Sequence, residues 1–258
     1  AAIAARADAP PGIDAYRIAD RIDARLAVRG VTVRLSDGAP LAAADYVIAG
    51  PDIDGLLTIE FAPSGLSVLA AHLDAAVVVA IDTTVREAGV IPNSALVYPN
   101  AASFGLAAGD PGGPIQTGTA VIRWGTATVA KVDKSNRPLR GAVFSAYRTE
   151  SDARADRNPI AFGGATRLPV DDDGLLTLTP LRYSDWAAGY PVAPRDYYLV
   201  EVEAPSGYQR LSDPIPFRVD AQSTEPGVDV SVANVLVRGD SDSGLAFTGS
   251  QVLPMLRI

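Results

Sequence analysis

Apolar and polar residues alternate with a period of two in many short runs of this chain, and turn residues separate the runs. In VTVRLSD, Val31, Val33 and Leu35 fall on one face before the Asp37-Gly38 turn, and LLTIEFAP (56–63) and VVVAIDTTV (77–85) follow as further strands. A strand sends alternate side chains to opposite faces, so each run has one face that must be covered by a second sheet. TATVAKVD, GAVFSAYR, GLLTLTPL, DYYLVEVEA, IPFRVD and VDVSVANVLV repeat the pattern in the C-terminal half, with turns at Lys134-Ser135-Asn136 and Asp171–Gly174 between them. Short strands at this spacing predict an all-β fold of immunoglobulin-like sandwiches. One segment departs from the pattern. SGLSVLAAHLDAA has apolar residues at helical spacing behind Ser64, which suits an N-cap, and predicts one short helix in the first sandwich.

A length of 258 residues suits two domains in tandem. The expected division is an arm at 1–12, a first β-sandwich at 13–124, a second at 125–238, and a Gly/Ser/Asp linker with an apolar start at 239–258. With 48% hydrophobic residues the chain can fill two cores, and its net charge of −8 argues against a nucleic-acid partner, because such a surface repels phosphate. The chain has no cysteine, which excludes disulfides, thiolate metal sites and a cysteine nucleophile. A cytosolic protein and a secreted protein stabilised by other means both fit that absence. These residues contain no secretory signal and no apolar run of about 18 residues, and Val68–Ile81 is interrupted by His72 and Asp74. A trimmed extracellular fragment would share these features with a cytoplasmic protein.

Only two of the basic residues are lysines, Lys131 and Lys134. Lys131 shares a strand face with Ala127 and Val129, Asn234 with Val230 and Val232, and Glu201 with Tyr197 and Leu199. Each apolar series thus places a polar group where a core residue is expected. Buried apart, the three would each cost several kcal/mol, roughly, if unpaired; buried together they can satisfy one another. They can also react. Burial favours a neutral amine beside a neutral acid, a neutral amine is a nucleophile, and a carboxyl hydrogen-bonded to the Asn234 carbonyl would make its carbon electrophilic. Attack with loss of ammonia would leave an amide between two strands, with Glu201 as the proton shuttle. The other reading is that Lys131 snorkels at a strand end while Asn234 and Glu201 face solvent.

The same residues carry a family resemblance. KVDKSNRPLRGAVFSAY (131–147) followed by YYLVEVEAPSGYQ (197–209) resembles the collagen-adhesin B-type (SpaA-type) domain of sortase-anchored pilins and fimbrial surface proteins from Gram-positive bacteria. The resemblance implies an intramolecular isopeptide bond between Lys131 and Asn234, with Glu201 as the acid that serves it. Leu245-Ala246-Phe247-Thr248-Gly249 resembles the sortase signal LPxTG with alanine in place of proline, so sortase is an implied partner, cleaving between Thr248 and Gly249. Attachment would be to cell-wall peptidoglycan or to other pilin subunits. The hydrophobic span that ordinarily follows, the only membrane contact implied, would lie beyond Ile258. The implied protein is an extracellular, cell-wall-anchored structural stalk, neither an enzyme nor dependent on a cofactor. The alternative is a secreted adhesin module whose loops, among them the Tyr183–Tyr190 segment, bind a host surface ligand such as matrix or glycan.

YRIADRIDARL (16–26) and IPNSALVYPN (91–100) are similar to the opening and closing strands of the fimbrial domain that precedes such modules. In that family a lysine, an aspartate and an asparagine can form a second bond, and Asp20 and Asn93 match the last two. No lysine precedes Lys131 in this sequence, so either the first domain lacks the bond or its lysine lies upstream of Ala1. VYPN (97–100) resembles the pilin motif V-Y-P-K, whose lysine accepts the next subunit; Asn100 cannot be acylated, which suits a basal or minor pilin or a singly anchored surface protein. Lys134 is then the remaining acceptor, or else an ordinary turn lysine. His72 has no partner histidine or cysteine for zinc, and Asp171-Asp172-Asp173-Gly174 lacks the spaced ligands of a calcium loop, so no metal site is expected. Arg238-Gly239-Asp240 is read as a chance tripeptide in the linker.

Overall fold

The computed structural model describes the backbone of residues 2–5 and residues 13–221 and 229–236. The chain divides into two compact units, Ala1–Ile122 and Arg123–Ile258.

The first unit contains β1 (Ala2–Ala5), β2 (Arg17–Arg21), β3 (Leu26–Leu35), β4 (Tyr46–Ala49), β5 (Leu56–Phe61), β6 (Val77–Val85), β7 (Gly89–Asn93), β8 (Ala95–Tyr98) and β9 (Ile115–Gln116). One sheet has the order β1-β6-β3 and a second β4-β5-β2-β8-β9. Inward positions of the two sheets, including Ile18, Val33, Leu35, Leu57, Ile59, Val79 and Val97, form one core. The alternation seen in the sequence is the burial pattern: β5 reads Leu57, Ile59 and Phe61 in, Glu60 out. β2 lies between β5 and β8, antiparallel to both, with Asp20 opposite Leu57 and Ala95.

The helix α1 (Pro63–Ala71) begins differently from its predicted start. Ala62 is the N-cap and Pro63 the first residue, with no side-chain cap. Proline suits that position because it has no N–H to leave unsatisfied and its φ is already helical. The Ser64 hydroxyl instead bonds Asp45, holding that carboxyl below its usual range. His72 closes the helix as its C-cap, with Nδ1 2.8 Å from Asp37 Oδ2. No helix among the described residues is long and apolar enough to cross a membrane.

The second unit runs through β10 (Ala120–Asp133), β11 (Val143–Tyr147), α2 (Glu150–Ala155), β12 (Leu168–Pro169), β13 (Leu175–Arg182), β14 (Trp186–Ala187), β15 (Tyr190–Pro191), β16 (Tyr197–Glu203), β17 (Ile215–Phe217) and β18 (Val230–Asn234). One sheet contains β13-β10-β18 and the facing one β12-β11-β16-β17, with Val129, Phe144, Leu178, Leu199, Phe217 and Val232 in their shared core. The second helix, α2, lies outside the single-helix expectation. Its six residues span under two turns, too few for a periodicity to emerge. Local chemistry starts it: Thr149 Oγ1 accepts the Asp152 N–H at 3.1 Å, and Glu150 pairs with Arg154 one turn on. Leu236, two residues past Asn234, is 61% exposed, because β18 ends at Asn234.

Candidate functional site

β10 and β18 are neighbours in one sheet and run parallel, with Lys131 opposite Val232 and Asp133 opposite Asn234. Lys131 and Asn234 are therefore diagonal neighbours on the same inward face, 0% and 1% exposed. Glu201 enters from β16 in the opposite sheet and is 1% exposed. Thus three polar side chains separated by up to 103 residues meet between the layers.

Their contacts form a closed network. Lys131 Nζ donates to Asn234 Oδ1 at 2.6 Å and to the Val232 carbonyl at 2.9 Å. Asn234 Nδ2 lies 2.9 Å from both Glu201 oxygens, and Lys131 Nζ is 3.6 Å from Glu201 Oε1. The Leu211 N–H donates to Glu201 Oε2 at 2.8 Å, fixing the carboxyl group from behind. Burial lowers the Lys131 pKa from 10.5 to about 8, while Glu201 pulls it upward. The amine thus has an appreciable neutral fraction near physiological pH, at a carbonyl already within hydrogen-bonding distance.

One detail differs from the sequence expectation. The Glu201 carboxyl faces the Asn234 amide nitrogen, not its carbonyl oxygen, and the carbonyl faces lysine. An amide oxygen only accepts and an amide nitrogen only donates, so this orientation pairs the lysine N–H with the carbonyl and the amide N–H groups with the carboxyl oxygens. Glu201 Oε1 consequently lies between the attacking nitrogen and the nitrogen that would leave.

The backbone beneath Lys131 is equally constrained. Its N–H donates to the Gly174 carbonyl at 2.7 Å, and its carbonyl accepts from Leu139 N at 2.8 Å. Gly174 has φ +72, and a Cβ there would lie 2.7 Å from the Lys131 carbonyl oxygen. Asp171, which opens that loop, accepts the Asp173 and Leu175 N–H groups through Oδ1. No group of acidic or histidine side chains suited to a metal occurs among the described residues. The Val232 and Leu211 backbone partners and the approach of Gly174 to Lys131 have no signature that strand alternation could reveal, since each depends on how separate segments meet.

The other expected residues lie apart. Lys134 is exposed in the turn after β10, where Asp133 accepts the Ser135 and Arg137 N–H groups. Leu245, Ala246, Phe247, Thr248 and Gly249, and Arg238–Asp240, lie outside the described residues. In the first unit Asp20 is 1% exposed and accepts from Asn93 Nδ2 at 2.9 Å, while its Oδ1 is buried without a partner. Burial raises the Asp20 pKa, against the hydrogen bond from Asn93. Asn100 caps the 3-10 turn Ala101–Gly105, accepting the Ser103 N–H at 2.9 Å through Oδ1, which a lysine could not do.

Residues 125–233 match the family model of the SpaA prealbumin-like fold domain. The second unit is a SpaA-type domain. Over 214 residues, 74% of this chain, the sequence is 28% identical to the fimbrial subunit type 1 of Actinomyces viscosus, and it spans 39% of that protein's length. The fold is similar to that of the full-length major pilin SpaD from Corynebacterium diphtheriae, with a TM-score of 0.73 at 23% identity over 92% of this chain and 63% of that one. It is also similar to the C. diphtheriae major pilin SpaA, whose structure is described as pointing to a modular pilus assembly with stabilizing isopeptide bonds, with a TM-score of 0.66 at 21% identity over 86% of this chain and 60% of that one. The SpaA-type unit and its lysine, asparagine and glutamate therefore belong to a chain similar to fimbrial subunits along most of its length.

Proposed function

We propose that this chain is a structural segment of an extracellular, sortase-anchored pilin or fimbrial stalk of a Gram-positive bacterium, and that its SpaA-type domain cross-links itself between Lys131 and Asn234. The observation that carries this reading is the buried contact of 2.6 Å between Lys131 Nζ and the Asn234 carbonyl, with Glu201 beside both nitrogens. The neutral amine of Lys131 attacks Asn234 Cγ, forming the Nζ–Cγ bond. Glu201 accepts a proton from Nζ and delivers it to Nδ2, and the Cγ–Nδ2 bond breaks to release ammonia. An amide replaces an amide, so no oxidant, metal or external energy source is required. The fixed carboxyl supplies proton transfer and the sandwich supplies proximity. The result is a structural link that turns over once, with no substrate beyond the chain itself.

Attachment rests on Leu245–Gly249, with sortase transferring the Thr248 acyl group to cell-wall peptidoglycan or another subunit. Within this sequence Lys134 is the only exposed lysine available to accept a subunit in return, because Lys131 is buried and Asn100 replaces the lysine of the pilin motif. Intact-mass spectrometry tests the cross-link: the folded protein is lighter than its sequence by one ammonia, and Lys131→Ala and Glu201→Ala abolish the deficit. A full sequence mass for the folded wild-type protein overturns the proposal.

A further inference from the structure

A cavity of about 710 Å³ in the SpaA-type unit lies apart from the cross-linking residues and is lined by Trp124, Trp186, Tyr197, Arg148, Arg182 and Arg195 among others. It is bordered by the hairpin β14–β15, whose Trp186 and Ala187 line it and which turns through Ala188 and Gly189, both at positive φ. The volume falls within the range of small-ligand sites.

Its chemistry is cationic and aromatic on a protein of net charge −8. None of Arg148, Arg182 and Arg195 forms an ion pair among the described residues, whereas the one lining carboxylate, Asp196, is bound to Arg218. Arg148 and Arg182 both line the cavity beside Tyr197, and both charges act on its hydroxyl. Arg182 lies over the Trp124 ring at 5.8 Å, and Arg123 stacks on Trp186 at 4.0 Å. Arginines without ion-pair partners beside aromatic side chains mark a place for an anionic ligand rich in oxygen.

We propose that this cavity binds a sugar carrying a carboxylate. The arginines suit the carboxylate, and the tryptophan and tyrosine faces suit the C–H face of a pyranose ring. The cavity would give an otherwise structural stalk a ligand, and it does not depend on the cross-link.

Both tryptophans of the chain line the cavity, so intrinsic fluorescence reads it alone. The whole chain is titrated with methyl glucuronide, the methyl glycoside of N-acetylneuraminic acid, methyl glucoside, acetate and a tetra-aspartate peptide. A saturable change with either acidic sugar, weakened about tenfold or more in the exposed double variant Arg148→Gln/Arg182→Gln, supports the proposal. The two acidic sugars distinguish a uronic acid from a sialic acid. Circular dichroism confirms that the variant is folded. The proposal is overturned by the absence of saturation with both acidic sugars, by methyl glucoside or acetate binding as tightly, by tighter binding of the peptide, or by unchanged affinity in the variant.

Discussion

Lys131 and Asn234 are offset by two residues on adjacent parallel strands, so the amine reaches across the ladder to the Asn234 carbonyl while also bonding the carbonyl of Val232, its own register partner. β10 opens the SpaA-type unit and β18 is its last described strand. The proposed covalent link would close nearly the whole unit into one loop, and tension along the chain would pass through it instead of through the hydrogen bonds between the two strands.

That loop sets the expected stability. A cross-link closing roughly 100 residues restricts the unfolded chain by about 5 kcal/mol in the chain-entropy model. Glu201→Gln keeps the side-chain shape and removes the proton shuttle. It should restore the full sequence mass and lower the Tm of the SpaA-type unit by on the order of 20 °C. Calorimetry alongside mass spectrometry checks this; an unchanged Tm in a variant that lacks the bond excludes a stabilising role for it.

The pH dependence follows from the lysine. Its folded pKa of about 8 lies below the ordinary 10.5, because burial disfavours the ammonium. The rate of bond formation in newly translated protein, followed by mass at intervals, should therefore rise about tenfold per unit below pH 8 and level off above it. A rate that falls between pH 6 and 8 contradicts attack by the neutral amine.

The same shift has a stability consequence in protein that cannot react. For a lysine with a lowered folded pKa, the unfolded chain binds more protons, so stability increases as pH rises from about 8 to 10.5. In Asn234→Leu the buried ammonium should cost about 3 kcal/mol at pH 7, most of it regained by pH 10.5. Urea unfolding across that range measures it.

Asp20 predicts the opposite slope in the first unit. Burial raises its folded pKa above 3.8, so the folded state binds more protons and stability declines as pH rises through that interval. Asp20→Asn can still accept from Asn93 and removes a carboxylate with one unpartnered oxygen. Its Tm should exceed wild type at pH 7, and the difference should disappear in acid. A lower Tm at pH 7 would show that the charge has a partner the buried geometry does not reveal.

Gly174→Ala tests the support beneath the lysine. Its positive φ and the 2.7 Å approach of a Cβ to the Lys131 carbonyl oxygen should cost about 1–3 kcal/mol and shift the lysine backbone. The bond should form more slowly than in wild type, as measured by mass after synthesis, while a control such as Gly163→Ala, where a Cβ meets nothing within 4 Å, leaves that rate unchanged.

The chain carries its local rules openly. Alternation at Val31, Val33 and Leu35 or at Val129, Val230 and Val232 specifies which side chains turn inward, because a strand has only two faces and only one of them is apolar here. For the same reason Lys131, Glu201 and Asn234 were identifiable from sequence as polar groups on inward faces. The short helix α2 and the proline start of α1 were less visible, since capping hydrogen bonds and a single turn leave little periodicity. Tertiary structure alone decided that β10 pairs in parallel with β18, that Glu201 faces the amide nitrogen, and that Leu211, Val232 and Gly174 complete the pocket. Those facts depend on contacts between segments 10 to 103 residues apart, and a period of two fixes the face of a residue without fixing its neighbour.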